Sequence, residues 1–188
     1  MLYHASPIND IKTLTPHVSN HGKPLIYFSS KPENTLVYLS NAIEKCCKEN
    51  GFSHSGVYTK WGSYGFNKEG ILTLDEYYPN ATYDTYKGVS GYVYAAEKAE
   101  FICPFGEIPF SFISEKPVEV KNSQFVPDAY EAISEAAKAG KIILTEYKDN
   151  TPSKLQWIEE TIKNEYEAGT EEYRFFLKQK FGFLNQLG

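Results

Sequence analysis

The chain has 188 residues, of which 41% are hydrophobic and 15% aromatic, which excludes wholesale disorder and suits one folded domain with a substantial core. The formal net charge is −5 at pH 7, and the 19 basic residues are mostly interleaved with acidic ones. Because nucleic-acid binders need a basic surface that neutralises phosphates, a nucleic-acid partner is not expected.

Other features of the sequence bear on the compartment and on metal binding. No apolar run approaches the roughly 20 residues of a membrane span. The N-terminus lacks the basic region and apolar stretch of a signal peptide, so we expect a cytoplasmic protein with no membrane partner. Cys46, Cys47 and Cys103 lack zinc-ligand spacing and are predicted to be reduced packing residues. His17 and His21 lie in a loop-like segment, and no metal site is predicted.

The first predicted elements are two strands separated by a loop. Residues 2–6 are predicted to form a short strand, and residues 24–30 are a continuous apolar and aromatic run typical of a strand covered on both faces. Between them, residues 8–14 have the apolar spacing of a short helix or turn. Residues 15–24 are rich in the Pro, Asn and Gly of loops.

A helix is predicted directly after the second strand. Ser30 and Glu33 match the S-x-x-E capping box, and Pro32 suits the first turn. Apolar residues then recur at helical spacing up to Gly51, which provides a C-terminal stop. At 100° per residue, Tyr38 lies about 140° from the centre of the apolar stripe, so it is not expected to be an ordinary core residue.

The remainder of the chain contains strand-like and helix-like segments. A hairpin loop is predicted at residues 65–70, and the strand-like segments are residues 57–64, 71–78, 91–103, 117–121 and 141–148. Helices are predicted at residues 127–139, from Thr151-Pro152 to Gly169, and from Thr170 onward. This order favours an α+β fold over a doubly wound sheet. We predict an α+β domain over residues 1–150 and a C-terminal helical extension packed on it over residues 151–188.

Polar and aromatic side chains cluster on the first two strands and the helix after them. His4 and Ser6 lie on the first predicted strand, Tyr27 and Ser29 on the second, and Tyr38 on the helix. A sharp turn after the second strand would bring both tyrosine rings to one hollow. There they would sandwich a flat heteroaromatic ring, while His4 donates a hydrogen bond to a hydroxyl of the ligand. The alternative interpretation is that Tyr27 is an ordinary core tyrosine and Tyr38 a surface one.

These segments resemble the front half of the ADP-ribosyltransferase fold. The resemblance rests on LYHAS at residues 2–6 and LIYFSSKPENTLVYLS at residues 25–40, and it covers about the first 45 residues. In that fold a first-strand histidine hydrogen-bonds the nicotinamide ribose of NAD, and two tyrosines sandwich the nicotinamide ring. The resemblance therefore implies a central split antiparallel sheet, a ribose contact for His4, and stacking roles for Tyr27 and Tyr38.

Further binding roles follow from the same resemblance. It gives Ser29 or Ser30 a contact with the nicotinamide carboxamide. Ala5 and Ser6, which complete the first-strand motif, join the NAD-binding residues. The family usually has glycine where this chain has Ala5, and the bare backbone of that glycine approaches the carboxamide. The chain thus departs from the family pattern directly beside His4.

Catalysis in this fold depends on an acid on a late strand, which stabilises the positive charge that develops on the ribose. Glu115 in ISEKPVEV is the favoured candidate, because the segment is similar to that strand in small bacterial and phage proteins with the same N-terminal pattern. Glu107 in FGEIPF is the second candidate and Glu119 the third. The predicted catalytic residues are therefore Glu115 and His4.

The activity that the resemblance implies is transfer of ADP-ribose from NAD, or cleavage of the nicotinamide bond of NAD. The expected ligand is NAD or a related nucleotide, and a protein is a candidate acceptor. Two alternatives stay open. One is a non-catalytic nucleotide- or protein-binding domain of the same fold. The other is an unrelated α+β interaction domain that docks through its C-terminal helices, residues 152–187.

Overall fold

A seven-stranded antiparallel sheet is the largest β-structure in the computed structural model, which describes residues 1–18, 22–55, 61, 63–106 and 108–186. The strands are β1 (Leu2–Ser6), β2 (Thr13–Leu14), β3 (His17–Val18), β4 (Pro24–Ser29), β5 (Tyr64–Phe66), β6 (Leu72–Asp75), β7 (Gly91–Ala96), β8 (Cys103–Pro104), β9 (Ser111–Ser114), β10 (Val118–Glu119), β11 (Asn122–Val126) and β12 (Ile142–Thr145). The large sheet has the order β11-β7-β1-β4-β9-β8, and β3 also pairs with β4.

Two smaller sheets accompany the large one among the described residues. Strands β2 and β10 form an antiparallel pair. Strands β12, β6 and β5 form a three-stranded sheet in which β12 and β6 are parallel. With the helices described next, this mainly antiparallel arrangement confirms the predicted α+β class.

The predicted strands near the N-terminus are confirmed as β1 and β4. Residues 8–14, predicted to be a short helix or turn, instead end in β2, because Thr13 and Leu14 pair with β10. The predicted strand 57–64 lies largely outside the described residues, and β5 begins at its last residue, Tyr64. Strands β3, β9 and β11 have no counterpart among the predicted strands, and β3 lies within the predicted loop at residues 15–24, where it pairs with β4.

The helices are α1 (Ala42–Glu49), α2 (Ala81–Tyr86), α3 (Ala129–Lys138), α4 (Pro152–Ala168) and α5 (Glu171–Lys180), with 3₁₀ helices at Pro32–Tyr38, Tyr147–Asp149 and Gly182–Gln186. The predicted helices at residues 127–139, after Thr151 and after Thr170 are confirmed, and α2 is an additional one. Within the described ranges, no helix is long and apolar enough to cross a membrane.

The single helix predicted from Ser30 to Gly51 is wrong. The chain forms a 3₁₀ helix over Pro32–Tyr38, breaks, and starts again as α1. The predicted capping box does not form, because Lys31 is the N-cap residue and makes no side-chain capping bond. At the break, the hydroxyl of Ser40 donates to the carbonyl of Trp61 at 3.1 Å, so a tertiary contact replaces helical continuity.

The core consists of three clusters of buried side chains. Cluster 1 contains Ala5, Leu36, Val37, Leu39, Leu72, Leu74, Tyr86, Val89, Val93, Val126, Ala129, Ile133 and Ile142. Cluster 2 contains Ala42, Ile43, Cys46, Cys47, Trp61, Tyr78, Ala81, Ile158, Ile162, Phe176, Leu177, Phe181 and Leu184. Cluster 3 contains Leu2, Leu14, Ile26, Phe28, Ala96, Ile102 and Val118. Clusters 1 and 3 cover opposite faces of β1, since alternate residues of a strand point to opposite faces.

Cluster 2 joins the C-terminal helices to the rest of the protein. Its members come from α1 and α2 as well as from α4 and α5. The predicted packing role of Cys46 and Cys47 is confirmed by their burial in this cluster, whereas Cys103 is exposed and does not have that role.

Candidate functional site

The hydrogen-bonded ladder between β1 and β4 is short, and the side chain of His4 bonds to β4 beyond its end. In the described part of the sheet these two strands share one residue pair, Tyr3 with Ser29, whereas β1 pairs with β7 along five residues. Beyond that pair, the Nδ1 atom of His4 lies 2.9 Å from the carbonyl oxygen of Tyr27. The imidazole therefore meets a backbone group at the point where the strand ladder stops.

This hydrogen bond fixes the tautomer of His4. A carbonyl oxygen only accepts, so Nδ1 carries the proton and donates, and Nε2 of the neutral ring is an acceptor. Burial lowers the pKa of His4 below its ordinary value of 6.5, the bond to Tyr27 partly opposes that shift, and nearby His17 adds to it. The expectation that His4 donates to a ligand hydroxyl is therefore revised, because the hydroxyl would donate to Nε2.

The side chains of His4 and Tyr27 belong to opposite faces of the sheet. The His4 ring lies 6.2 Å from the ring of Phe28, which is part of cluster 3. Tyr27 is the strand neighbour of Phe28 and therefore points to the other face. A ligand that touches both the imidazole and the phenol has to lie across the end of the short β1–β4 ladder.

The structure places Tyr27 and Tyr38 on one side of the sheet and adds a third tyrosine, Tyr64. Tyr38 ends the 3₁₀ helix, and its ring meets that of Tyr64 edge-on, with centroids 6.0 Å apart and planes at 76°. Burial raises the pKa of both Tyr38 and Tyr64, and the phenol of Tyr27 is close enough to raise both further. All three phenols share one side of the sheet.

Tyr38 differs from its expected position. It packs against cluster 1 instead of lying away from the core. The physical reason is the 3₁₀ geometry, in which three residues make a turn and side chains rotate by about 120° per residue instead of 100°. Tyr64 has no motif around it, so sequence reasoning missed it.

The loop before β9 covers the end of β4. The ring of Phe105 meets the ring of Tyr27 edge-on at 5.5 Å. The carbonyl of Phe110 accepts a hydrogen bond from the N–H of Ser30 at 2.9 Å, and the ammonium of Lys31 lies 4.0 Å from the Phe110 ring centre. Phe110 has a φ of 63°, a strained conformation for a bulky residue.

Two serines of the predicted carboxamide and first-strand contacts also hold the local backbone. The hydroxyl of Ser29 accepts from the N–H of Lys31 at 3.1 Å, and that of Ser6 accepts from the N–H of Ile8 at 3.2 Å. Ala5 is 5% exposed, and its methyl group is part of cluster 1. These residues shape the site, and the methyl group of Ala5 fills core space that a glycine would leave empty.

The candidate acids lie at different places. Glu115 is exposed and directly follows β9. Since Ile113 pairs with Tyr27, Glu115 lies two residues beyond the partner of Tyr27, about 7 Å along the strand. Glu119 belongs to the sheet of β2 and β10, and its carboxylate accepts from the hydroxyl of Thr13 at 2.9 Å. Glu107 lies outside the described residues.

Neither metal-ligand groups among the described residues nor comparisons with known proteins identify a function for this site. The described residues, which leave out His21, contain no group of three His, Cys, Asp or Glu side chains that could hold a metal ion. No protein-family model matches the chain, and neither a curated protein nor a solved structure is significantly similar to it. Its function is therefore inferred from the residues and geometry of the site.

Proposed function

We propose that this protein is ADP-ribosyltransferase-like, and that it binds NAD across the end of the β1–β4 ladder and transfers ADP-ribose or cleaves the nicotinamide bond. The observation that carries the proposal is the neutral imidazole of His4, held on the Tyr27 carbonyl, with the half-buried phenols of Tyr27, Tyr38 and Tyr64 on the other face of the same sheet. A split antiparallel sheet of the ADP-ribosyltransferase type is part of the same proposal. The short ladder and the N-terminal sequence resemblance both support it.

The chemistry of NAD suits these groups. A ribose hydroxyl donates to Nε2 of His4, which is an acceptor in the tautomer fixed by Tyr27. The nicotinamide ring of NAD is flat and positively charged, and the rings of Tyr27 and Tyr38 offer electron-rich faces to it. Because burial keeps the phenols of Tyr38 and Tyr64 neutral, they add no charge of their own.

The reaction breaks the bond between ribose C1′ and the nicotinamide nitrogen. The bonding electron pair leaves with nicotinamide, and an acceptor group or water adds to C1′ and loses a proton. Positive charge develops on the ribose during this step, and a carboxylate that faces it lowers the barrier. We assign that role to the carboxylate of Glu115. The ribose of bound NAD reaches it by extending along β9 past Ile113, the partner of Tyr27.

A second candidate function is NAD or nucleotide binding without turnover. Ser29 pairs with Ser111 at the start of β9, so no acid of β9 lies opposite the second-strand serine. Glu115 stands at the other end of the strand, and its side chain is exposed. If the ribose of bound NAD lies near Ser29, no carboxylate of β9 faces it, and the arrangement favours binding without catalysis.

Release of nicotinamide from NAD tests the proposal. We expect the wild type to release it, and Glu115→Gln to slow release by about a hundredfold, the size of effect that loss of one electrostatic stabiliser produces. Glu119→Gln is the matched control, because Glu119 bonds Thr13 in another sheet, and it should keep the wild-type rate.

The outcomes separate the two functions. If NAD raises the melting temperature but no nicotinamide appears, the protein binds NAD without turning it over. If NAD neither releases nicotinamide nor changes the melting temperature, both functions are wrong. If Glu115→Gln keeps the wild-type rate, the assignment of the acid is wrong.

A further inference from the structure

The ring of Tyr38 needs an external support. It stands on the last residue of a 3₁₀ helix that has no side-chain cap, and the chain breaks directly after it at Leu39. Runs of 3₁₀ helix longer than a few residues have poor hydrogen-bond geometry, so the seven-residue segment Pro32–Tyr38 does not by itself fix the ring.

Tyr64 provides that support from another sheet. It lies on β5, where its backbone pairs with Leu74 of cluster 1. Its ring packs edge-on against Tyr38, and both rings lie against cluster 1. The two hydroxyl groups also interact, and this interaction contributes to the raised pKa of Tyr38.

We propose that Tyr64 is a positioning residue of the ligand site, which holds the ring of Tyr38 ready to stack on NAD through the edge contact of the two rings and their shared packing on cluster 1. This inference rests on the function proposed above. Tyr64 acts through Tyr38, and its contribution to binding is preorganisation, since the free protein already holds a ring that the ligand would otherwise have to order.

The NAD affinities of three phenol-to-phenyl variants test the inference. Tyr64→Phe keeps the ring and loses the interaction between the two hydroxyl groups, so we expect NAD to bind about two- to tenfold more weakly. Tyr38→Phe removes the same interaction from the other ring. The double variant should bind no more weakly than the weaker single one, because both changes delete one interaction.

The chain offers a matched control in Tyr83. Its ring meets Tyr130 edge-on at 5.1 Å with the same 76° between planes, but on α2 and α3. Tyr83→Phe should leave NAD affinity unchanged. Wild-type affinity in Tyr64→Phe, or effects that multiply in the double variant, would overturn the positioning role.

A second measurement separates this inference from the proposed function. The aromatic NMR signals of Tyr38, recorded without ligand, should shift in Tyr64→Phe and stay in place in Tyr83→Phe. If the wild type does not bind NAD, the proposed function fails. A shifted Tyr38 signal would then still support Tyr64 as the residue that orients Tyr38, whereas an unmoved signal overturns the inference whether or not NAD binds.

Discussion

At the scale of single residues, the protonation of His4 affects the free energy of unfolding. The pKa of His4 is lowered in the folded protein, mainly by burial, so between the folded and unfolded pKa values the unfolded chain binds more protons. The free energy of unfolding therefore rises with pH in that window and falls as the pH drops below about 6.5, the ordinary pKa of histidine.

Replacing His4 by asparagine tests this pH dependence. The amide of Asn can donate to the Tyr27 carbonyl as Nδ1 does, but it does not titrate. We expect urea unfolding between about pH 5 and pH 8 to show a shallower pH dependence for His4→Asn than for the wild type. An identical slope in the two proteins would mean that His4 is not the group responsible.

Asn34 is an unusual residue in the 3₁₀ helix before Tyr38. It is 2% exposed, and within the described residues neither its side-chain nitrogen nor its oxygen has a hydrogen-bond partner. A buried polar group without a partner costs about 1–3 kcal/mol. We expect Asn34→Leu to raise the free energy of unfolding by a similar amount, about 1–3 kcal/mol, measured by urea titration.

Thr35 is the control for Asn34. It is equally buried, but its hydroxyl donates to the carbonyl of Pro32 at 2.7 Å. Thr35→Val therefore loses a real hydrogen bond and should lower stability by about 1 kcal/mol. The interpretation of Asn34 is contradicted if Asn34→Leu destabilises the protein as Thr35→Val does.

At the scale of elements, the C-terminal helices depend on threonine caps. The hydroxyl of Thr151 accepts from the N–H of Lys154 at 3.2 Å, at the start of α4. Thr151→Ala should lower the free energy of unfolding by about 1 kcal/mol. Ser153→Ala, an exposed change in the same first turn, should leave it nearly unchanged; equal effects of the two changes would show that the cap does not contribute.

Local signals of this kind made several elements predictable. Caps and proline at the first turn predicted α4, and apolar runs predicted β1 and β4. The capping pattern at Ser30 failed because the 3₁₀ helix starts one residue later, with Lys31 as its N-cap, and the serine that bonds the backbone there is Ser29, which accepts from the N–H of Lys31. A sequence pattern does not reveal which of two adjacent serines turns toward the backbone.

Elements stabilised from a distance were not predictable. Helix α2 has no side-chain cap of its own at Asn80. The carboxylate of Glu76 instead accepts from the backbone N–H groups of Asn80 and Thr82, at 3.2 and 3.0 Å. It also accepts from the N–H of Tyr147, which is 71 residues away. Such contacts leave no periodic signature.

The residues of the candidate site also divide into those with a local sequence signal and those placed by distant contacts. Strand and spacing patterns pointed to His4, Tyr27 and Tyr38, which lie on elements close in sequence. The position of Glu115 depends on the register between β4 and β9. Tyr64 lies on β5, in the sheet of β12, β6 and β5, and packs on Tyr38 from there. The first placement depends on a pairing between strands that are far apart in the chain, and the second on the packing of the Tyr64 ring against Tyr38 and cluster 1.

At the scale of the whole molecule, cluster 2 couples the C-terminal helices to the remainder. Phe176 on α5 is fully buried and lies 5.1 Å from the ring of Trp61. Phe176→Ala should cost about 3–5 kcal/mol and lower the midpoint of a single unfolding transition. Phe125→Ala, at a side chain that is 54% exposed, should have a small effect.

Thermal unfolding monitored by circular dichroism and by tryptophan fluorescence checks this coupling. Coincident transitions that move together in Phe176→Ala are expected, because α1 and α5 share one core. Separate transitions, of which only one moves, would mean that the C-terminal helices are an independent unit.

The central claim is that NAD binds at His4, and NMR of the imidazole nitrogens during titration with NAD tests it most directly. We predict that the Nε2 signal of His4 shifts saturably as a ligand hydroxyl donates to it, while Nδ1 keeps its proton on the Tyr27 carbonyl. The signals of His54, which lies after α1 and away from His4, serve as the internal reference. His4 signals that stay unchanged up to millimolar NAD would contradict the account.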